Sequence, residues 1–178
     1  MPVPRVGQSG AMTHLLLEFS RPASVALWRP VNDGVMGGIS TSHLRHDAAG
    51  HAVFAGQVSL ENNGGFASVR CQSGELGRKD VTAYLLEVRG DGKRYKLNLR
   101  TDNSFDGVNY QVRFDPPAGS WGSCRLAVAD FSPTWRGKSV PDAPPLDTSR
   151  ARQIGLMIAD RQEGAFALAI RSIAVEIA

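Results

Sequence analysis

The chain is short of cysteine and of long apolar runs, and each shortage excludes something. Cys71 and Cys124 are the only cysteines in 178 residues. They form no C-x-x-C pair and cannot make a disulfide framework. There is also no N-x-S/T acceptor, and together these features predict a protein of a reducing, cytoplasmic compartment. No stretch approaches the roughly 18 apolar residues that a spanning helix needs. The first 22 residues lack a basic start followed by an apolar core, so neither a membrane span nor a secretory signal is expected. Net charge is +3 with a pI near 9.1, but the basic residues are scattered. Nucleic acid is permitted by this charge and is not the expected partner.

What is present fits one globular domain. Hydrophobic residues make up 42% and charged residues 21% of the chain, an ordinary soluble balance, and the length suits a single core. Nineteen glycines and ten prolines favour many short elements joined by turns. Residues 1–13 carry Pro2, Pro4, Gly7 and Gly10 with little apolar content and read as a flexible N-terminal extension; residues 14–178 read as one domain.

The clearest pattern runs from Ala83 to Phe114. Tyr84, Leu86 and Val88 alternate with less apolar positions, the turn residues Arg89 to Lys93 follow, and alternation resumes at Tyr95, Leu97 and Leu99. A third run, Val108 to Phe114, alternates in the same way, and the three predict a meander. Register follows from the pattern, because a one-residue slip would turn every apolar side chain to solvent. Leu99 should face Tyr110, Leu97 Val112 and Tyr95 Phe114. The other face then carries Lys96, Asn98, Arg100, Asn109, Gln111 and Arg113. Five further apolar runs, Val53 to Leu60, Phe66 to Arg70, Arg125 to Val128, Ile154 to Ile158 and Phe166 to Ile177, can cover the apolar side, which predicts an all-β sandwich of two antiparallel sheets. Asp147, Thr148 and Ser149 are good N-cap types and predict one helical turn before Ile154.

Two Asn/Gly-rich stretches are the candidate recognition loops. The first carries Asn32, Asp33, Gly34, Met36, Gly37, Gly38 and Ser40; the second carries Glu61, Asn62 and Asn63. Ordinary turns explain their glycines and asparagines. They do not explain an acid in each loop, and meeting at one end of a sandwich they would offer amides and carboxylates to a partner. The first loop lacks the lysine and the following helix of a phosphate loop. The basic sheet face of Lys96, Asn98, Arg100, Asn109 and Arg113 is a second candidate, for an anionic or sugar surface, although a solvated antiparallel face has the same pattern.

No motif for bond-making chemistry appears: there is no G-x-S-x-G and no H-E-x-x-H. Asp102 to Gly107 imitates the start of a calcium loop, but Arg113 stands where the bidentate glutamate belongs. His43, His46 and His51 lie close in sequence beside an Ala-Ala-Gly turn, where solvated side chains are the expectation and zinc is not. No catalytic residue, cofactor or metal is therefore expected.

Three long motifs in order carry a resemblance: W-x-x-V-N-D-G-V-M-G-G-x-S at Trp28 to Ser40, F-x-G-x-V-S-L-E-N-N-G-G-F-A-S-V-R at Phe54 to Arg70, and R-G-D-G-x-x-Y-x-L-x-L-R-T at Arg89 to Thr101. Phe131 to Gly137, Pro141 to Asp147 and Gly155 to Phe166 extend it. The chain resembles the complex I intermediate-associated protein 30 family from about His14 to Ile177. The resemblance implies a galactose-binding-like jelly-roll sandwich and no enzyme. Mitochondrial members are assembly factors for NADH:ubiquinone oxidoreductase, and a plant relative is tied to RNA. This chain shows no transit peptide and is little more than the domain, so a protein-binding adaptor or chaperone-like role is the first expectation. A carbohydrate-binding module is the alternative, and an RNA-associated role comes after it.

Overall fold

The computed structural model describes residues 12–178 and, for Val35 and Met36, the backbone alone. The expectation for residues 1–11, and that for the Met36 side chain, lie outside the described residues. In chain order the strands are β1 Met12–Glu18, β2 Trp28–Pro30, β3 Thr41–Asp47, β4 His51–Val58, β5 Ala67–Gln72, β6 Val81–Arg89, β7 Tyr95–Arg100, β8 Asn109–Phe114, β9 Gly122–Ala127, β10 Ser132–Trp135, β11 Lys138–Ser139, β12 Gln153–Ile158 and β13 Gly164–Ile177. Short 3-10 turns, and no α-helix among the described residues, join them.

The strands form two antiparallel sheets packed face to face, an all-β sandwich. One has six strands in the order β3-β4-β13-β6-β9, with β1 also on β13; the other has seven in the order β11-β10-β8-β7-β12-β5-β2. The 14-residue β13 is the spine of the first sheet. Its first half pairs with β4, its second half with β1, and β6 lies along its other side. Met12 and Thr13 pair with Ile177 and Glu176. The extension expected through residue 13 is therefore corrected at its end, because β13 runs far enough to pair with both residues.

The β7–β8 register is the one the alternation predicts: Tyr95 faces Phe114, Leu97 faces Val112 and Leu99 faces Tyr110. The meander is not. Residues Arg89 to Lys93 do not close a hairpin; β6 pairs with β13 and β9, and β7 with β12 and β8. This segment is an arch that carries the chain from one sheet to the other. Strands in opposite sheets bury their alternate residues in the same core, so periodicity reads the same for an arch and for a hairpin. The arch is pinned by Asp91, whose carboxylate accepts the backbone N–H of Ala167 at 2.8 Å and the Tyr95 hydroxyl at 3.0 Å. For the same reason only three of the five covering runs, β4, β9 and β13, oppose β7. The other two, β5 and β12, lie in its own sheet.

Between the sheets Phe54, Tyr95, Phe114 and Phe166 make an aromatic cluster, with Phe54 and Phe166 ring centres 4.9 Å apart. Leu97, Leu99, Ile154, Leu156, Leu168 and Ile173 are fully buried around it. Asp147 caps the turn Thr148–Arg150 by accepting the Ser149 N–H, as its residue type predicts.

Candidate functional site

The two Asn/Gly-rich loops do meet, and the carboxylate that joins them points inward. Asp33 is fully buried. Its Oδ1 accepts the Ser40 N–H at 3.0 Å, and its Oδ2 accepts the Ser40 hydroxyl at 2.6 Å and the Gly65 N–H at 2.9 Å. Burial alone would raise this carboxyl's pKa. The bonds from the Ser40 hydroxyl and from the backbone of Gly65, Ser40 and Phe66 outweigh it and hold the group below its ordinary value. Glycines let the backbones come this close: a β-carbon on Gly64 would stand 2.6 Å from Asp33 Oδ2, and one on Gly38 would collide with the carboxylate carbon. Asn32 is similarly occupied, its Oδ1 accepting from Ser42 Oγ at 2.6 Å and Ser68 N at 3.0 Å.

The expectation that Asp33 and Ser40 face a partner is therefore corrected. A buried carboxylate is tolerable only when its lone pairs are filled, and here both loops fill them. Glu61, Asn62 and Asn63 remain at the surface, with Asn62 and Asn63 in the left-handed region at φ 54° and 61°. Gly34 and Gly37 are also exposed.

The second candidate is a more continuous surface. On the outer face of the seven-stranded sheet, cross-strand pairing sets Arg29, Arg70, Gly155, Asn98, Gln111 and Ser132 in one row across six strands. A parallel row holds Ser68, Met157, Lys96 and Arg113; another holds Gln72, Gln153 and Arg100, with Asn109 and Thr134 paired farther along. Gly155, between Arg70 and Asn98, has no side chain and is itself buried. Gln111 Nε2 donates to Asn98 Oδ1 at 3.0 Å, which fixes both amides. Asn109 is buried, and its Oδ1 finds no hydrogen-bond partner among the described residues, a cost of about 1–3 kcal/mol.

Loops frame this face at both strand ends. At one, Asp160 pairs with Lys96 and Arg113, each at 3.3 Å. At the other, Asp102 to Gly107 is strapped down. Gln153 Nε2 donates to the carbonyls of Asp102 and Ser104, Arg100 to that of Gly107 at 2.6 Å, and Arg70 to that of Phe105. Arg136 grips the Asp106 carboxylate at 2.7 Å, and Trp135 donates to the Asp106 carbonyl. Arg70 lies 5.4 Å from the Phe105 ring centre. Burial, with the Arg100 charge adding to it, pushes the Arg70 guanidinium down to about 10, still cationic near neutrality. Phe105 stands 61% exposed. An open cleft of about 290 Å³ between it and the first Asn/Gly loop is lined by Pro30, Val31, Asn32, Gly34 and Ser40. The two candidate regions are thus neighbours around one rim.

Other expectations resolve locally. Asp102 accepts from Ser104 N and Oγ, an Asx turn and not a cation cradle. Among the described residues no three His, Cys, Asp or Glu side chains converge on a possible metal position. His51, expected in solvent, is buried edge-on against Trp121, 5.1 Å between ring centres. Both thiols are pushed up by burial, that of Cys124 also by Asp115, the opposite of an activated nucleophile.

The two-sheet antiparallel jelly-roll frame is a β-sandwich fold that solved carbohydrate-binding modules share. The family 11 carbohydrate-binding module from Clostridium thermocellum, solved with a beta-1,3-1,4-mixed-linked tetrasaccharide, superimposes with a TM-score of 0.71 over 96% of this chain and 98% of that one, at 14% identity. Residues 17–170 match the family described as Complex I intermediate-associated protein 30, and the chain belongs to that family. The Drosophila melanogaster protein named Complex I intermediate-associated protein 30, mitochondrial, is 25% identical over 92% of this chain. An uncharacterized protein of Schizosaccharomyces pombe is 29% identical over 82% of this chain and 76% of its own length. The chain spans 63% of the fly relative's length.

Proposed function

We propose that this chain is a non-catalytic binding module, an adaptor of the assembly-factor kind, which holds a partner protein on the outer face of its seven-stranded sheet. The row from Arg29 to Ser132 carries the reading: five of its six strands present a hydrogen-bonding side chain, and Phe105 supplies an exposed apolar anchor at the rim. Such a surface is preorganised, since Asn98, Gln111, Arg70 and Arg100 are already fixed by bonds within the protein, and little side-chain entropy remains to be lost on binding. Its charge suits a partner presenting carboxylates and amides. The name of the fly relative supports an assembly role.

The test is affinity capture with Arg113→Glu and Phe105→Ala, side chains that are exposed and outside the core. Both variants should keep native stability to within about 0.5 kcal/mol and lose the protein that wild type retains. Undiminished capture by both would remove the sheet face from recognition.

A second reading has its own observation. Phe105 and Trp135 stand beside a plane of fixed amides and guanidinium groups, an arrangement that also suits a sugar chain, whose hydroxyls need paired donors and acceptors and whose rings stack on aromatic faces. Calorimetric titration with the beta-1,3-1,4-mixed-linked tetrasaccharide decides it: saturable heat abolished by Asn98→Ala supports sugar binding, and no heat ends it.

A further inference from the structure

The outer face of the six-stranded sheet carries a second cleft, built from residues far apart in sequence. Trp121, just ahead of β9, stands beside two guanidinium groups: Arg171 lies 3.9 Å and Arg89 5.0 Å from its ring centre. The register of β13 shifts between Ile170 and Ser172, so Arg171 is an extra residue on that strand, and a bulge of this kind re-aims a side chain. Beside the indole opens a cleft of about 400 Å³ lined by Leu85, Glu87, Trp121, Ser123, Ser172 and Ala174.

Glu87 is the one charged residue of this lining, and the two arginines, which border the cleft against the Trp121 ring, are unequally used. Arg171 is paired with Glu87 at 3.2 Å. Arg89, two residues along β6 on the same face, has no carboxylate within ion-pair reach among the described residues. A guanidinium resting on an indole is restricted in orientation, and its N–H edge is a ready fork for a carboxylate. Glu18, opposite Ser172 in register, already accepts the Ser20 hydroxyl at 2.6 Å.

We propose that this cleft is a docking site for an acidic segment of a partner protein, with a Glu or Asp carboxylate on Arg89 and a neighbouring apolar side chain on Leu85 and Ala174. Glu87 already shows the carboxylate geometry beside this indole, on Arg171. Its negative charge in the lining opposes a dianionic phosphate and tolerates a single carboxylate, while the apolar floor calls for more than a bare ion. The site is independent of the seven-stranded sheet, on the opposite side of the sandwich.

The test is nuclear magnetic resonance on the full nitrogen-15-labelled chain, titrated with an acetylated, amidated Ala-Glu-Leu-Ala peptide, with its Ala-Gln-Leu-Ala counterpart, and with inorganic phosphate. The Trp121 indole signal and the Ser123 and Ser172 amide signals should shift saturably with the glutamate peptide, and signals of Asn98 and Gln111 should not. Arg89→Gln should weaken binding at least about threefold, the size expected for one partly exposed charged pair, with Arg89→Lys between the two. Equal shifts from the glutamine peptide, phosphate binding as tightly as the peptide, or unchanged affinity in Arg89→Gln would each overturn the proposal. If Arg89→Gln does not fold, the contrast between the two peptides on the wild-type chain decides alone.

Discussion

The carboxylate of Asp33 accepts the backbone N–H of Gly65 at 2.9 Å, across 32 positions of sequence. With the two bonds from Ser40, this contact turns two glycine-rich loops into one rigid rim next to the outer face of the seven-stranded sheet.

Removing the clamp should cost stability more than it costs any direct contact with a partner. Asp33→Ala strands the Ser40 and Gly65 N–H groups, while the Ser40 hydroxyl keeps the Ser59 carbonyl at 3.3 Å, and should destabilise by about 3 kcal/mol; Asp33→Asn, which keeps the shape, should cost about 2 kcal/mol. Urea unfolding measures both. A loss below about 0.5 kcal/mol for Asp33→Ala would mean that the carboxylate is not structural.

The clamp should also be pH-dependent, with a defined sign. The folded Asp33 titrates below the ordinary carboxyl value of 3.8, so as pH falls the unfolded chain takes up the proton first. The contribution is full above about pH 5 and fades as pH drops through the folded value. The gap in unfolding midpoint between wild type and Asp33→Asn should therefore be widest near neutrality and shrink toward pH 3. A gap that widens in acid contradicts the assignment.

Two glycines of the same loop should behave oppositely. A methyl at Gly38 meets the buried Asp33 side chain, which has no room to give, whereas one at Gly34 meets nothing within 4 Å. Gly38→Ala should cost about 2 kcal/mol or more, and Gly34→Ala should stay within about 0.5 kcal/mol. Thermal denaturation separates them, and equal losses would contradict the packing described.

The legible parts of this molecule are those where one strand's own pattern decides the answer. Tyr95, Leu97 and Leu99 against Tyr110, Val112 and Phe114 fix a polar outer face and restrict the register, because a one-residue slip would turn every apolar side chain to solvent. The Arg89–Lys93 arch is not legible, since partner choice lies outside the strand. Nor is the burial of Asp33 visible in sequence: an acid in a glycine-rich loop looks exposed until the donors that fill its lone pairs, one of them from residue 65, are in place. His51, Arg89, Trp121 and Arg171 come from four separate segments, and no spacing rule links them. A bulge at Arg171 leaves no mark that composition alone reveals.

Protein recognition by the outer face of the seven-stranded sheet is the proposal on which the rest turns. The most direct measurement is site-specific photo-crosslinking in cells, with the reactive side chain placed at Gln111 and, separately, at His43 on the edge strand of the opposite sheet. Position 111 should give one discrete protein adduct, abolished by Arg113→Glu, and position 43 none of that species. The same adduct from both positions, or none from position 111, would contradict it.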